Sequence, residues 1–202
     1  MHNKQLVDTI IKLRRENKTL QEISTITGIT RPGLATFLSK KKINKRDIVD
    51  EAIDKLKETE LAYIAGIVDG EGSIIISKLK PNINKGEINF RYQLFCKVIN
   101  TDKRMIDWLA NKTQTKSYKD FRNKDSPNSR NTFSIHWPVN TTILLLDKIY
   151  PYLVIKKEQV DLAIKFRHSF DDIGHKLATD QIINFREQCY LKMQTLHRRE
   201  FE

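Results

Sequence analysis

An α+β fold is predicted for this chain of 202 residues: a short all-helical segment, then elements in the order α-β-β-α-β-β-α. Three observations lead there. Residues 1–42 place their apolar side chains at helical spacing, with helix caps between the runs. Residues 61–73, Leu-Ala-Tyr-Ile-Ala-Gly-Ile-Val-Asp-Gly-Glu-Gly-Ser, read as an apolar helix with a glycine stop. Beyond them lie two pairs of strand-like runs, the clearest alternating with period two, with a stretch of helical period between the pairs.

In the first segment Leu6, Ile10 and Leu13, with Val7 and Ile11 beside them, give one amphipathic helix. Thr19 and Glu22 stand three apart as a capping box for a second, whose apolar face is Leu20, Ile23 and Ile26. Gly28 makes a tight turn. Thr30 caps a third helix, with Pro32 in its first turn, where a missing N–H is harmless. Leu34, Phe37 and Leu38 bury it. Residues 44–58 keep Ile48, Val49, Ala52, Ile53 and Leu56 at helical spacing and read as a connecting helix.

After the helix of residues 61–73 come Ser73–Leu79 and Ile88–Val98. In the second run Phe90, Tyr92, Leu94, Cys96 and Val98 share one face. Asn89, Arg91, Gln93, Phe95 and Lys97 share the other, so the strand is half-buried. A helix follows over Asp102–Asn111, then strands over Lys116–Phe121 and Asn131–Trp137 around a polar loop of residues 122–130. Helices close the chain over Thr141–Tyr150, Lys156–Phe170 and Thr179–Arg199.

The helix of residues 61–73 carries two stripes. Leu61, Ile64 and Val68 are bulky. Ala62, Gly66 and Gly70, four apart, have almost no side chain and let another helix backbone come close, a steric rule that holds in water as in lipid. Asp69 and Glu71 fall at the C-terminus, where the helix dipole is negative and each carboxylate is disfavoured by about 0.3–1 kcal/mol. A divalent cation would reverse that penalty, since hard cations take carboxylate and carbonyl oxygens. A buried helix followed by a strand explains the glycines and the bulky stripe, but not the small stripe and two acids at the wrong pole.

The balance of 36 Lys+Arg against 25 Asp+Glu gives a net charge of +11 and a pI of about 9.6, which favours a polyanion as partner. No run of about 18 apolar residues exists to span a bilayer, and Met1-His2-Asn3-Lys4-Gln5 lacks a signal-peptide core. The two cysteines, Cys96 and Cys189, outline no disulfide framework or zinc site. A reducing compartment is expected: cytoplasm, nucleoid or organelle. Cys96, in a strand pattern, reads as a small buried hydrophobe.

Ile64 to Gly72 stand at the nine positions of the motif of the LAGLIDADG homing endonucleases, and the segment closely resembles it. The order α-β-β-α-β-β-α over residues 58–175 is similar to that family's core. The resemblance implies a saddle whose four-stranded antiparallel sheet lies along the DNA major groove. It also implies a homodimer joined through Ala62, Gly66 and Gly70, since no second copy of the motif is found. Two saddles would span about two turns, of order 20 base pairs. The activity implied is hydrolysis of double-stranded DNA with Mg2+ or Mn2+. Glu71 would be the main metal ligand, with the Gly70 carbonyl and Asp69 in support. Pro151–Gln159 resembles the segment that brings a lysine to the cleaved phosphate; Lys156 takes that place, Lys157 is the fallback, and a plain helix-start lysine is the simpler account. Asn100 and Arg104 match the corner that supplies a polar water-positioning residue and a basic residue; Asn100 or Asp102 would equally serve as an ordinary helix cap.

Residues 21–38 resemble a helix-turn-helix DNA-binding unit, with Ser24 at the close helix approach and Gly28 in the turn. A plain three-helix bundle is the simpler account. As a reading helix, the third would present Arg31, Ala35, Thr36 and Ser39 to bases and Lys40, Lys41 and Lys42 to phosphates. Gly33 weakens that helix by about 1 kcal/mol against alanine, which close approach to DNA would explain. On the sheet, Ser73, Ser77, Arg91, Gln93, Lys97, Ser134 and His136, with Arg122 in the loop, are the expected DNA contacts. The domains are thus 1–43, a connecting helix 44–58, and 59–202. A non-cleaving transcriptional regulator and an intron RNA maturase are the alternatives on the same fold.

Overall fold

The computed structural model describes residues 4–16, 18–41, 45–81, 89–120, 131–171 and 178–198. The helices are α1 (Lys4–Arg15), α2 (Leu20–Thr27), α3 (Arg31–Lys40), α4 (Lys45–Asp54), α5 (Glu58–Glu71), α6 (Lys103–Lys112), α7 (Val139–Ile149), α8 (Lys157–His168) and α9 (Asp180–His197). The strands are β1 (Gly72–Leu79), β2 (Arg91–Asn100), β3 (Ser117–Asp120) and β4 (Thr132–Pro138). They form one sheet in the order β1-β2-β4-β3. The β1–β2 pair is antiparallel with Ile75 opposite Phe95, and β3–β4 is antiparallel with Tyr118 opposite Ser134. The α+β architecture read from the sequence is the one observed.

Contacts divide the chain into residues 1–56 with 101–135, and residues 57–100 with 136–202. In the first unit the local signals act as read. Thr19 Oγ1 accepts from the Glu22 N–H while Glu22 accepts from the Thr19 N–H. Gly28 ends α2 at φ 70°, the left-handed region where a side chain would be strained. Ile10, Ile23, Leu34, Phe37 and Leu38 form the core, flanked by Leu6, Val7, Leu13, Leu20 and Ile29. Ile26 departs from the expectation and is 56% exposed. Leu20, Ile23 and Thr27 already follow one line of the short helix, and Ile26 lies off it. Gly33 has a local reason. A Cβ there would come 3.1 Å from Thr30 Oγ1, the oxygen that caps α3 by accepting from the Gly33 N–H.

In the second unit α5 buries Ile64, Ala65, Ile67 and Val68. Tyr92, Leu94, Cys96 and Val98 fill the core face of β2, as the alternation requires. Burial pushes the Cys96 thiol up to about 12, so it is held as an inert hydrophobe. Fully buried Thr142 accepts from the Cys96 N–H at 3.0 Å and donates to the Trp137 carbonyl at 2.6 Å, which fixes the start of α7 to the sheet. Helix α9 is tied to β1 and β2. Glu187 takes Lys78 at 2.7 Å and also the Tyr92 hydroxyl, and His197 Nε2 donates to the Ile74 carbonyl at 2.9 Å.

Gly72 joins α5 to β1. Its N–H donates to the Val68 carbonyl, and an added Cβ would lie 2.6 Å from that oxygen and 2.8 Å from Val68 Cα. Both are backbone atoms, so Gly72→Ala is expected to cost about 1–3 kcal/mol. It should lower the urea midpoint with an unchanged slope. Gly66→Ala is the control. A Cβ there meets nothing within 4 Å in the single chain, so at protein concentrations where the chain is monomeric the midpoint should hold or rise.

Candidate functional site

Helix α5 delivers two acids to its C-terminal end, and the fold treats them differently. Asp69 receives three backbone N–H groups from the segment leading into α8. Val154 N–H donates to Oδ2 at 2.7 Å, and Ile155 and Lys156 N–H donate to Oδ1 at 3.3 and 3.0 Å. Lys156 is the N-cap of α8, so this carboxylate sits at the positive end of a second helix. The Lys156 ammonium in turn donates to the Asp69 main-chain carbonyl, which places a cation at the negative end of α5. Two helix termini of opposite polarity are thereby joined. The penalty read from the sequence for Asp69 is met by the chain itself. Both Asp69 oxygens accept from main-chain donors, a structural role that stands beside the expected one as a metal ligand.

Glu71 is exposed at the end of α5, as is Gly70. Among the described residues no group of three or more His, Cys, Asp or Glu converges on a metal-sized space. Asn100 ends β2 in the same unit as Glu71, and Arg104 belongs to the other. The choice of cap for α6 is resolved. Asp102 takes it, accepting from the Arg104 N–H at 2.9 Å, and Asn100 does not. Asp102 also grips the Arg104 guanidinium at 3.0 Å and 2.6 Å. These bonds to Arg104 pull the Asp102 carboxyl down to about 2.

The face of β1 and β2 opposite the core carries Ser73, Ile75, Ser77 and Leu79 against Lys97, Phe95, Gln93 and Arg91 in register. Ser73, Arg91 and Gln93 are exposed and Lys97 is half-buried. Ser77 Oγ donates to the Gln93 carbonyl at 3.3 Å. His136 is half-buried and stacks on Phe95, centroids 6.2 Å apart at 28°. Ser134 is a correction: it is 0% exposed and offers no hydroxyl to a ligand. It pairs with Tyr118, which is 47% exposed, and a two-atom side chain beside such a neighbour is easily covered. Arg122 and Lys42 lie outside the described residues.

Ala62, Gly66 and Gly70 are all exposed, and a Cβ built at either glycine meets nothing within 4 Å. Tyr63 beside them is 56% exposed. Among the described residues the small stripe has no partner at these glycines, while Ile64 and Val68 of the bulky stripe are buried and Leu61 is half-buried. On α3, Arg31, Ala35, Thr36, Ser39 and Lys40 are exposed together, opposite buried Leu34, Phe37 and Leu38.

Sequence reasoning missed two features. The clasp of Asp69 on residues 154–156 left no local signal, because its partners lie 85 to 87 positions away. The row Ile75, Phe95, His136 did leave one, since Phe95 was an apolar residue on a strand face otherwise read as polar.

No protein-family model and no curated protein matches the chain. Solved structures do. The homing endonuclease I-CvuI, in complex with the I-CreI target and magnesium with the DNA not cleaved, shares 14% identity at TM-score 0.56, over 72% of this chain and 86% of that one. The archaeal intron-encoded homing endonuclease I-Vdi141I, complexed with DNA, shares 14% at TM-score 0.55, over 72% and 88%. The LAGLIDADG homing endonuclease I-SmaMI, bound to cleaved DNA, shares 17% at TM-score 0.50, over 67% of this chain and 43% of that one. At these identities the likeness is one of fold. The α+β architecture with its four-stranded sheet is that of LAGLIDADG homing endonucleases.

Proposed function

We propose that this chain is one subunit of a homodimeric, site-specific endonuclease that hydrolyses one phosphodiester in each strand of DNA with magnesium or manganese. One observation carries the reading: Glu71 stands exposed at the end of a helix whose adjoining small-residue stripe is open, while its neighbour Asp69 accepts from the main-chain N–H groups of residues 154–156. The fold shared with solved homing endonucleases supports it, and so does a net charge of +11.

The Glu71 carboxylate and the Gly70 carbonyl are hard oxygen donors of the kind magnesium takes. A single chain brings too few, so the same residues of a second copy complete the set once the stripes meet. Bound there, the ion supplies an activated water and charge neutralisation at phosphorus. The remaining work belongs to the chain. Lys156, held by Asp69, keeps a positive charge beside the reacting phosphate. Asn100 orients the attacking water, Arg104 adds a basic contact, and Arg91, Gln93, Lys97, Ser73, Ser77 and His136 contact the groove. The helix-turn-helix unit makes DNA contacts of its own through Arg31, Thr36 and Lys40.

The test is to incubate the purified chain with magnesium and a library of randomised plasmids, and to sequence the broken ends. Breaks at one recurrent, roughly palindromic site are expected. Binding without breaks, with or without manganese, would instead leave the regulator.

Assembly has its own test. Position 66 is exposed and a Cβ there meets nothing within 4 Å in the single chain, so Gly66→Leu should leave the subunit folded but separate the two backbones. Sedimentation should show a dimer for the parent and a monomer for the variant. A dimer in both would place the interface elsewhere.

A further inference from the structure

The open face of β1 and β2 is banded. Going along the register, Ser73 faces Lys97, Ile75 faces Phe95, Ser77 faces Gln93 and Leu79 faces Arg91. Of these four pairs, Ile75–Phe95 is the one in which both partners are apolar. His136 extends it onto β4, its ring stacked on Phe95. An apolar row thus crosses three strands, and all three residues are half-buried rather than covered. A polar band bounds it on each side, with Ser73 and Lys97 on one and Ser77 and Gln93 on the other.

The bands suit one occupant. In the major groove of DNA, lysine pairs with guanine and glutamine with adenine, while an apolar side chain contacts the 5-methyl of thymine. Side chains on one strand face recur every two residues, about 6.8 Å, which is close to two base-pair steps of about 3.4 Å. The charge is complementary as well, because Lys97 and Arg91 flank the row. A protein partner would want a larger exposed apolar patch than three half-buried side chains.

On the reading that this face contacts DNA, we infer that Phe95, backed by Ile75 and His136, is a specificity-determining residue that reads a thymine methyl in each half-site. The polar bands then read or contact base pairs two steps to either side. The apolar row serves sequence choice, while Lys97 and Arg91 supply much of the sequence-independent attraction.

The experiment selects bound duplexes from a randomised pool with the full chain in a metal-free buffer, then replaces thymine by deoxyuridine at each enriched position. Deoxyuridine keeps every hydrogen-bonding group and removes only the methyl. At one position per half-site, affinity should fall about four-fold, the value of one buried methyl group. Phe95→Ala should bind thymine and deoxyuridine DNA equally, and Phe95→Leu should keep the preference, which excludes misfolding as the cause. An enriched site whose thymines can all be replaced without loss overturns this inference and leaves the nuclease reading standing. Failure to enrich any sequence overturns both.

Discussion

Glu71→Gln is expected to retain DNA binding within about three-fold and to lose cleavage by 10³-fold or more. The substitution keeps the shape of the side chain and removes its charge. Glu71 is exposed, so its loss leaves no buried group unsatisfied and the fold should not change. On the proposed reading, binding rests on the open sheet face, to which Glu71 does not belong. Cleavage is another matter. On the proposed mechanism an ion at the end of α5 would take a carboxylate from each subunit, and a neutral amide is a weak ligand for a hard cation. Stabilisation of several kcal/mol at the reacting phosphate depends on that ion, and each 1.36 kcal/mol is a factor of ten. The measurement pairs gel-shift affinity in chelator with single-turnover cutting in magnesium. Normal cutting by the variant would remove Glu71 from the chemistry.

The second large effect is on stability. Asp69→Ala removes the acceptor for the N–H groups of Val154, Ile155 and Lys156. Hydrogen bonds to a charged group contribute about 1.5–3 kcal/mol each, and partial exposure brings the set down to about 2–4 kcal/mol in total. The urea midpoint should fall in the absence of any metal. Amide exchange at residues 154–156 should accelerate before the rest of the unit opens. Cleavage should fall as well, because Lys156 loses the carboxylate that holds its segment. A residue that only held a metal ion would behave in the opposite way. Its loss would leave the metal-free protein as stable as before, or more so, since a charge at the negative end of α5 would be gone.

Much of the fold is written locally. Thr19 with Glu22, Gly28 and Thr30 with Pro32 act within four residues of one another, so their geometry is legible from order alone. The alternation along residues 91–98 assigns faces correctly because burial on a strand has period two, while Phe90, expected on the core face, precedes β2 and is 45% exposed. Where the reading slipped, competition among neighbours was the cause. Ile26 is apolar and at helical spacing, yet an eight-residue helix presents one line to a small core, and Leu20, Ile23 and Thr27 occupy it. Ser134 is polar and on the open face, yet it is covered, which the face pattern alone does not reveal.

The candidate site divides in the same manner. By itself the sequence determined that α5 would be bulky on one stripe and bare on another, and that two carboxylates would end it. Both follow from spacing and residue type within a few helical turns. Only the tertiary structure decided what each carboxylate meets. The Asp69 carboxylate accepts from amides, and its main-chain carbonyl from an ammonium group, that lie some 85 residues along the chain, while Glu71 is left exposed. The physical reason is that a charge at a helix terminus must be compensated, but any donor brought near enough will serve. Proximity between distant segments is set by the packing of α5, α7 and α8 around the sheet, and no local pattern encodes it.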